Sequence, residues 1–411
     1  MRILFLTPYP AYPPHGGGVQ RMYQLIRQLS QRHEIWCLSL TPSAAASAAA
    51  QPLARWCSLT LVPAPRRTLA GRALTTLLSP LPDMALRAPS RAYHSALRSL
   101  LQTIKFDVVQ AESIEMAQYA LAAQQLGAFA TLDQWNAEYV LQRRAALTDL
   151  RQPRKAHGAV YSLIQWQKLA RYERVVCNQL DQTYVVSAED ATALKRIGVA
   201  RTAAVIPNGV DTAYFAPPAV RSTDPNLLLF TGTLDFRPNI DAVVWFVTHV
   251  LPLVRREWPQ AYLRVVGRAP HPAILRLAEP GVVEVTGAVA DIRPHFATAA
   301  AYVLPMRIGG GVRLKLLEAF ATALPVITTT MGGDGIEGLQ AGVHCVLAND
   351  AVDFARATLQ VLRDRDFAAA LARSGRDLAR RHYDWQTIVP RLETNWIHHK
   401  PTPKAAGHEL V

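Results

Sequence analysis

The chain has 411 residues, of which half are hydrophobic and 18% are charged, as in an ordinary globular protein. This length exceeds a single typical core, so the sequence predicts two domains. No run reaches the roughly 20 apolar residues of a membrane-spanning helix, and residues 2–6 are too short for a signal-peptide core. We therefore expect a cytoplasmic protein. Four cysteines lack pairing or metal-ligand spacing and are expected to be buried free thiols: Cys37, Cys57, Cys177 and Cys345.

The net charge of +13 is concentrated in the first half, where residues 1–190 hold 20 Lys and Arg against 12 Asp and Glu. Such an excess favours anionic partners, although an arginine-rich composition without such a partner is the alternative. Residues 66–101 are expected to form broken helices with six arginines among Leu and Ala: Arg66, Arg67, Arg72, Arg87, Arg91 and Arg98. This segment either lies peripherally on an anionic membrane, at its inner face, or forms a solvated pair of helices.

Strands and helices alternate along the chain. A strand over 2–7 leads through a glycine loop, 16–18, into a helix over 19–29, and further strands are expected at 34–40, 107–110, 129–132, 183–186 and 203–206. Ile206–Asp211 then breaks the pattern with a proline and an Asn-Gly turn. The pattern restarts with strands at 227–230, 262–266, 282–285, 302–304, 326–328 and 345–347. This alternation predicts an α/β fold with two doubly wound, Rossmann-like domains: 1–205, completed by a C-terminal helix over 385–411, and 206–384.

A glycine turn at 309–311 follows the apolar strand expected at 302–304, and a helix begins after it near Val312. Such a turn aims free backbone N–H groups at a ligand. Arg313 and Lys315 fall in the first turn of this helix, where the macrodipole disfavours cations unless an anion lies there. Because ligands of open parallel sheets bind beyond the carboxyl ends of the strands, we expect an anionic ligand in a crevice between the two domains.

Five motifs in this order resemble the retaining glycosyltransferases of family four, which have the two-domain GT-B architecture. The motifs span nearly the whole chain: Arg2–Thr7 with Gly16–Gly18, Ile206–Asp211 with Phe215, Phe230–Asn239, Val285–Asp291 and Met306–Ala319. The Pro-Asn at 238–239 and the sequence of the glycine turn resemble the branch associated with bacterial exopolysaccharide and capsule assembly.

The resemblance implies transfer of a sugar from a nucleotide-diphosphate donor to a hydroxyl of a glycan or lipid-linked acceptor, with retention and without a metal or other cofactor. It implies that charge on the leaving diphosphate is stabilised by the backbone of Gly310, Gly311 and Val312 and by Arg313 and Lys315. Glu318 resembles the glutamate that binds the ribose diol, with an ion pair to Lys315 as the alternative.

Other donor contacts follow from the same resemblance. The loop from Gly287 to Val289 corresponds to the base-binding loop, and Gly232 lies where a loop approaches the phosphates. Arg237 either reaches the same charge or lies on a surface turn. The first glycine loop, at Gly17 and Gly18, is expected to cover the donor from the other domain.

The sequence departs from the family pattern at two positions. The first glutamate of the usual Glu-x7-Glu pair is Gly310 here, so its sugar contact is absent or made by Arg307 or main chain. Where the family often shows His-x-His, this chain has Gln110-Ala111-Glu112. Glu112 is either a catalytic group, through hydrogen bonding or by offsetting positive charge, or a carboxylate at a helix N-terminus.

Four residues are candidates for the acceptor side. His15 lies beside the first glycine loop and faces either the acceptor or solvent. Asp133, Asn136 and Glu138 follow a strand of the first domain and either bind acceptor hydroxyls or cap the next helix.

Three other functions remain open. A GT-B-shaped sugar-nucleotide epimerase or a phosphorylase-like enzyme fits the linker and the Lys315–Glu318 spacing less well. A nucleic-acid-binding protein would use the positive charge, but the chain lacks a recognition-helix motif or an aromatic-interleaved basic strand. A donor-binding, non-catalytic protein is compatible with Gly310 and Gln110. The sequence does not identify the base, sugar, acceptor or oligomeric state.

Overall fold

A computed structural model describes residues 1–14, 16–150, 156–201, 203–220, 222–309 and 314–399. The chain divides into two compact units. Unit 1 combines Met1–Pro207 with the chain from Val389, and unit 2 is Asn208–Ile388. Each unit has its own hydrophobic core around its own parallel sheet.

The sheet of unit 1 has seven parallel strands in the order β3-β2-β1-β4-β5-β6-β7. The strands are β1 (Arg2–Thr7), β2 (Glu34–Thr41), β3 (Ser58–Pro63), β4 (Val108–Glu112), β5 (Ala130–Gln134), β6 (Gln182–Val185) and β7 (Ala204–Val205). The helices of this unit are α1 (Gly17–Leu29), α2 (Ala44–Ala50), α3 (Leu69–Leu78), α4 (Arg91–Thr103), α5 (Ala117–Gln125), α6 (Glu138–Leu150), α7 (Ala156–Gln179) and α8 (Ala188–Arg196).

The sheet of unit 2 has six parallel strands in the order β10-β9-β8-β11-β12-β13. The strands are β8 (Leu227–Thr231), β9 (Tyr262–Val266), β10 (Val283–Gly287), β11 (Ala301–Leu304), β12 (Val326–Thr328) and β13 (Val346–Leu347). The helices that follow are α9 (Arg237–Trp245), α10 (Leu251–Glu257), α11 (Pro272–Leu275), α12 (Arg293–Thr298), α13 (Leu314–Ala321), α14 (Thr330–Gly333), α15 (Ala351–Arg363), α16 (Arg365–Leu378) and α17 (Trp385–His399).

The hydrophobic pattern explains these elements. Strands buried on both faces read as continuous apolar runs, as in β8, all of whose residues are buried. Helix α1 buries Met22, Leu25, Ile26 and Leu29 at helical spacing, as the sequence predicts. The four cysteines are buried and unpaired, which confirms the expected free thiols.

Three differences from the sequence prediction concern the sheet of unit 1. The edge strand β3 is absent from that prediction, because only one of its six residues is buried and the apolar signal is correspondingly weak. Strands β4 and β5 extend two residues further than expected, to Glu112 and Gln134. Glu112 is therefore a strand residue paired with Asp133, and its interpretation as a helix N-terminal carboxylate is wrong.

The strand order reverses once in each sheet, between β1 and β4 in unit 1 and between β8 and β11 in unit 2. Ligands of open α/β sheets bind where the order reverses, beyond the carboxyl ends of the strands. In unit 1 the glycine loop follows β1 and Glu112 ends β4. In unit 2 Gly232 follows β8, and the chain leading to the second glycine turn follows β11. The fold thus brings the first glycine loop, and the described chain that leads to the second, to switch points.

Three arginines of the basic segment are used internally. Arg67, Arg72 and Arg87 all bond the buried carboxylate of Asp83, at 2.8, 3.2 and 3.3 Å. Burial opposes ionisation of Asp83, but the hydrogen bond from Arg67 and the charges of Arg72 and Arg87 lower its pKa. Much of this positive charge therefore holds α3 to the unit. No helix among the described residues is both long and apolar enough to cross a membrane.

Candidate functional site

Lys315 is the central residue of the switch point in unit 2. It lies in the first turn of α13, and its Nζ donates a 2.7 Å hydrogen bond to Oδ1 of Asn239 on α9. The same Nζ lies 4.5 Å from the ring centroid of Phe230 on β8. A Cβ added to Gly232 would meet this Nζ at 2.8 Å, so the ammonium rests against the turn that follows β8. The described residues thus place this cation at the start of the helix that follows β11.

Glycines end the three neighbouring strands β8, β9 and β10. Gly232 and Gly287 have positive φ angles of 152° and 72°. Gly267 lies between them, and a Cβ there would come within 1.7 Å of the Gly232 carbonyl oxygen. Gly267 was not among the residues predicted from the sequence, although a glycine directly after the apolar strand Tyr262–Val266 is a usable signal. Close packing within the protein therefore requires glycine at Gly232 and Gly267, whereas a Cβ on Gly287 would meet nothing within 4 Å.

Arg307 lies before the glycine turn and is engaged within unit 2. Its guanidinium donates to both carboxylate oxygens of Asp241 at 2.6 and 3.0 Å and lies 5.4 Å from the ring centroid of Trp245. Together with Arg237 and Ile308, these residues line a cavity of about 410 Å³. The suggestion that Arg307 replaces the missing glutamate at the donor sugar therefore lacks support from its contacts.

The remaining predicted donor contacts of unit 2 are placed as follows. Glu318 is half-buried one turn after Lys315 on α13, and Val289 is half-buried after β10. Arg237 is exposed at the first residue of α9 rather than on a turn before it. Four further predicted residues lie outside the described part of the chain and their roles stay predictions: Gly310, Gly311, Val312 and Arg313. The acceptor candidate His15 also lies outside it.

In unit 1, Glu112 is fully buried at the end of β4. Its two carboxyl oxygens accept hydrogen bonds from Nε2 of Gln110 at 2.8 Å and from Nε1 of Trp135 at 3.1 Å. Burial and the nearby charge of Asp133 raise the pKa of Glu112 to about 8, against the opposing effects of Arg21 and these hydrogen bonds. A carboxyl of this pKa is mostly neutral at pH 7. Burial therefore favours a neutral, hydrogen-bonding Glu112 over one that offsets positive charge.

The first glycine loop packs directly against Trp135. A Cβ on Gly18 would fall 2.6 Å from the indole ring, so a glycine is needed for this contact. Gly17 is the first residue of α1, which has no side-chain cap. The ring of Tyr9 also lies near the indole, with ring centroids 6.0 Å apart. Trp135 thus links the glycine loop to the Glu112 carboxyl.

Asp133 forms a buried ion pair that was not predicted from the sequence. Nε and Nη2 of Arg21, on α1, donate to its two carboxylate oxygens at 2.7 and 3.0 Å. Both side chains are 1% exposed. Nη1 of Arg21 also donates to the carbonyl oxygen of Pro207 at 3.0 Å. Asp133 therefore holds α1 and the end of unit 1, which differs from both predicted roles, acceptor binding and helix capping.

Asn136 and Glu138 lie at the start of α6, but other residues cap that helix. Glu173 accepts from the backbone N–H of Glu138 at 2.7 Å, and Asp190 accepts from that of Ala137 at 2.9 Å. Asn136 Nδ2 donates to Glu138 at 3.3 Å. Burial raises the pKa of Glu138 to about 7, despite this hydrogen bond. Glu138 can therefore accept or donate a hydrogen bond near neutral pH, as an acceptor-side residue would.

Two family models match the chain, one in each unit. The model described as "Glycosyltransferase Family 4" matches residues 15–214, and the model described as "Glycosyl transferases group 1" matches residues 225–364.

Among curated proteins, the chain is 31% identical over 235 residues to a GDP-mannose-dependent alpha-(1-6)-phosphatidylinositol monomannoside mannosyltransferase of Mycobacterium tuberculosis. The match covers 51% of this chain and 60% of that protein. An uncharacterized 44.6 kDa protein in the cps region of Klebsiella pneumoniae is 23% identical over 173 residues, covering 40% of this chain and 44% of that protein.

Among solved structures, Anabaena HepE in complex with UDP is similar over 97% of this chain and 100% of that chain, with a TM-score of 0.67 and 15% identity. At this identity the similarity shows the fold alone. Two parallel-sheet units with this similarity have the GT-B fold, and the chain belongs to the glycosyltransferases of family four.

Proposed function

We propose that this protein is a retaining glycosyltransferase that moves a sugar from a nucleotide-diphosphate sugar to a hydroxyl of a glycan or lipid-linked acceptor. The observation that carries the proposal is the position of Lys315. Its ammonium is fixed against Gly232 at the switch point of unit 2, at the start of the helix that follows the glycine turn. A helix N-terminus with a cation beside it is a site for a diphosphate.

The chemistry follows from where charge develops. Cleavage of the sugar–phosphate bond leaves negative charge on the diphosphate, and groups already oriented toward that charge lower the barrier. Lys315 supplies one such group, and the N–H groups at the glycine turn supply others. Glu318 is one turn further along α13, where its carboxylate would accept hydrogen bonds from a ribose diol. In this proposal the reaction uses no metal or other cofactor.

The proposal extends to the acceptor and to the cellular role. The likeness to a protein in the cps region of Klebsiella pneumoniae supports a role in exopolysaccharide or cell-surface polysaccharide synthesis. The mycobacterial relative uses GDP-mannose according to its name, and the HepE structure contains UDP, so both bases belong in a donor screen. Glu138 and Asn136 are the acceptor-side candidates that the structure leaves half-buried near the sheet edge.

A thermal-shift screen against UDP-, GDP- and ADP-sugars tests donor binding, because a ligand that binds only the folded state raises the melting temperature. Transfer is then measured with the donor that stabilises the protein, and the product anomer is assigned by NMR. We expect Lys315→Ala to lower transfer roughly 100-fold or more. The exposed Lys195 provides the control Lys195→Ala. Equal activity of the two variants would remove the diphosphate assignment, and an inverted anomer would remove retention.

Two alternatives have distinct outcomes in the same assay. An epimerase would convert the donor sugar without producing a glycosylated acceptor. A non-catalytic donor-binding protein would show the thermal shift and release neither product.

We also propose peripheral contact between α3 and an anionic membrane at its cytoplasmic face. Leu74 and Leu78 of α3 are 59% and 75% exposed, and Leu81 follows at 41%. Arg66, which precedes α3 in the chain, is also exposed. Removing Arg67 and Arg72 would also disturb the Asp83 cluster, so Leu78→Ser is the cleaner variant. It should weaken binding to anionic liposomes while leaving the melting temperature unchanged, and undiminished binding would refute the contact.

A further inference from the structure

Helix α9 holds the chain on both sides of the glycine turn in unit 2. Asp241 accepts two hydrogen bonds from Arg307, which precedes the turn, at 2.6 and 3.0 Å. Asn239 accepts one from Lys315, which follows the turn, at 2.7 Å. Two side chains of one helix thus hold Arg307 and Lys315, the described residues on either side of the glycine turn.

Asn239 uses both ends of its amide. Its Oδ1 accepts from Lys315, while its Nδ2 donates to the carbonyl oxygen of Thr233 at 2.8 Å. The side chain is buried, with 5% of the residue exposed. Asparagine offers a donor and an acceptor on one short planar group, whereas aspartate offers only acceptors and alanine neither. Asn239 therefore ties Lys315 to the turn that follows β8.

The tether matters because a lysine ammonium has a flexible stem of four carbons. A mobile cation loses side-chain freedom when an anion binds, and that entropy loss weakens binding. Asn239 and the face of Phe230 fix the ammonium of Lys315 before any ligand arrives. Gly232 leaves just enough space for it, since a Cβ there would lie 2.8 Å from Nζ.

The second contact involves Arg307, which precedes the glycine turn. Arg307 is held by Asp241 and by the ring of Trp245, so it anchors the main chain after β11. The Asp241 and Arg307 side chains are 27% and 43% exposed, so this contact should contribute less than the buried Asn239 contact.

We propose that Asn239 and Asp241 are positioning residues of the donor site. Asn239 orients the ammonium of Lys315 for a nucleoside diphosphate, and Asp241 holds Arg307 and the main chain that follows β11. The inference rests on the proposed function, because it requires such a ligand at this turn. Neither residue needs to touch the ligand.

The test measures dissociation constants of UDP, GDP and ADP by calorimetry, using the nucleotide that the wild type binds most tightly. Asn239→Ala should weaken binding about tenfold, as expected for loss of a hydrogen bond to a charged group. In a Lys315→Ala background the same substitution should have little further effect, because Asn239 acts through Lys315. Losses that simply add in the double variant would overturn the positioning role, as would an unchanged constant in Asn239→Ala.

Asp241→Ala should weaken nucleotide binding a few-fold through the anchor at Arg307. Its matched control is Asp353→Ala, which removes an exposed ion pair to Arg356 elsewhere in unit 2. Equal nucleotide dissociation constants for the two variants would overturn the positioning role of Asp241.

Asn239→Asp guards against a folding defect in the alanine variant, because it preserves the shape and the acceptor for Lys315. It places a negative charge beside the ammonium and should weaken diphosphate binding and flatten its salt dependence. Binding as tight as in the wild type would overturn the inference. A wild type that binds none of the three nucleotides overturns the proposed function as well, whereas failure of the variants alone to differ overturns only this inference.

Discussion

Replacing Glu112 by glutamine should change how the stability of unit 1 depends on pH. Glu112 is fully buried, and burial together with Asp133 raises its pKa from 4.5 to about 8. Glutamine resembles the neutral carboxyl in shape. It can accept from Trp135 and donate to Gln110 once that neighbouring amide rotates, so most of the local contacts remain.

The sign and size of this pH dependence follow from proton linkage. Between pH 4.5 and about 8 the folded protein retains a proton at Glu112 that the unfolded chain releases, so the free energy of unfolding falls as pH rises. A shift of this size corresponds to about 4 to 5 kcal/mol at most, at 1.36 kcal/mol for each pKa unit. The stabilising contribution is fully present below pH 4.5 and is lost above about pH 8.

Urea unfolding at pH 5, 7 and 9 checks this prediction. At pH 5 the free energy of unfolding of Glu112→Gln should equal that of the wild type or be slightly lower. At pH 9 the free energy of unfolding of the variant should exceed that of the wild type by several kcal/mol. Glu34→Gln is the control, because that side chain is 68% exposed. Parallel pH profiles for Glu112→Gln and wild type would refute the raised pKa.

Three further substitutions test the packing of the two switch points. Arg21→Met should lower the free energy of unfolding by about 3 to 5 kcal/mol because Asp133 is left as a buried unpaired charge; a second change, Asp133→Leu, should restore most of the loss in urea unfolding. Gly18→Ala should cost about 1 to 3 kcal/mol and shift the fluorescence of Trp135, since the new methyl would overlap the indole; an unshifted spectrum would contradict the contact. Gly267→Ala should reduce soluble expression and lower the melting temperature more than Gly18→Ala does, because its Cβ would overlap a backbone carbonyl rather than a side chain.

The fold could be predicted from the sequence where the signal was local and repeated. Apolar runs such as Leu227–Phe230 and Tyr262–Val266 are continuous because parallel strands are buried on both faces. The edge strand Ser58–Pro63 was missed because a strand with one neighbour carries a weaker apolar signal. Strand ends were also uncertain, and the two extra residues of β4 change Glu112 from a loop residue into a core residue.

The site could be predicted only in part, because pairing between distant residues leaves no local pattern. Lys315 was identified from its unusual place in a helix N-terminus, which is a local feature. Its partner Asn239 lies 76 positions away and was noted only as a family-like Pro-Asn pair. Arg21 and Asp133, 112 positions apart, each have an ordinary local context, so nothing indicated their ion pair.

The spacing of Asn239 and Asp241 on α9 gives a physical reason for the order of residues in this segment. Two positions along an α-helix correspond to a rotation of about 200° around its axis, so the two side chains point to nearly opposite sides. One therefore reaches Lys315, buried against the turn after β8, while the other reaches the partly exposed Arg307. A shift of α9 by one residue would break both contacts together. Pro238 at the start of this helix has a fixed φ that suits the first turn, and so helps to set the register on which both contacts depend.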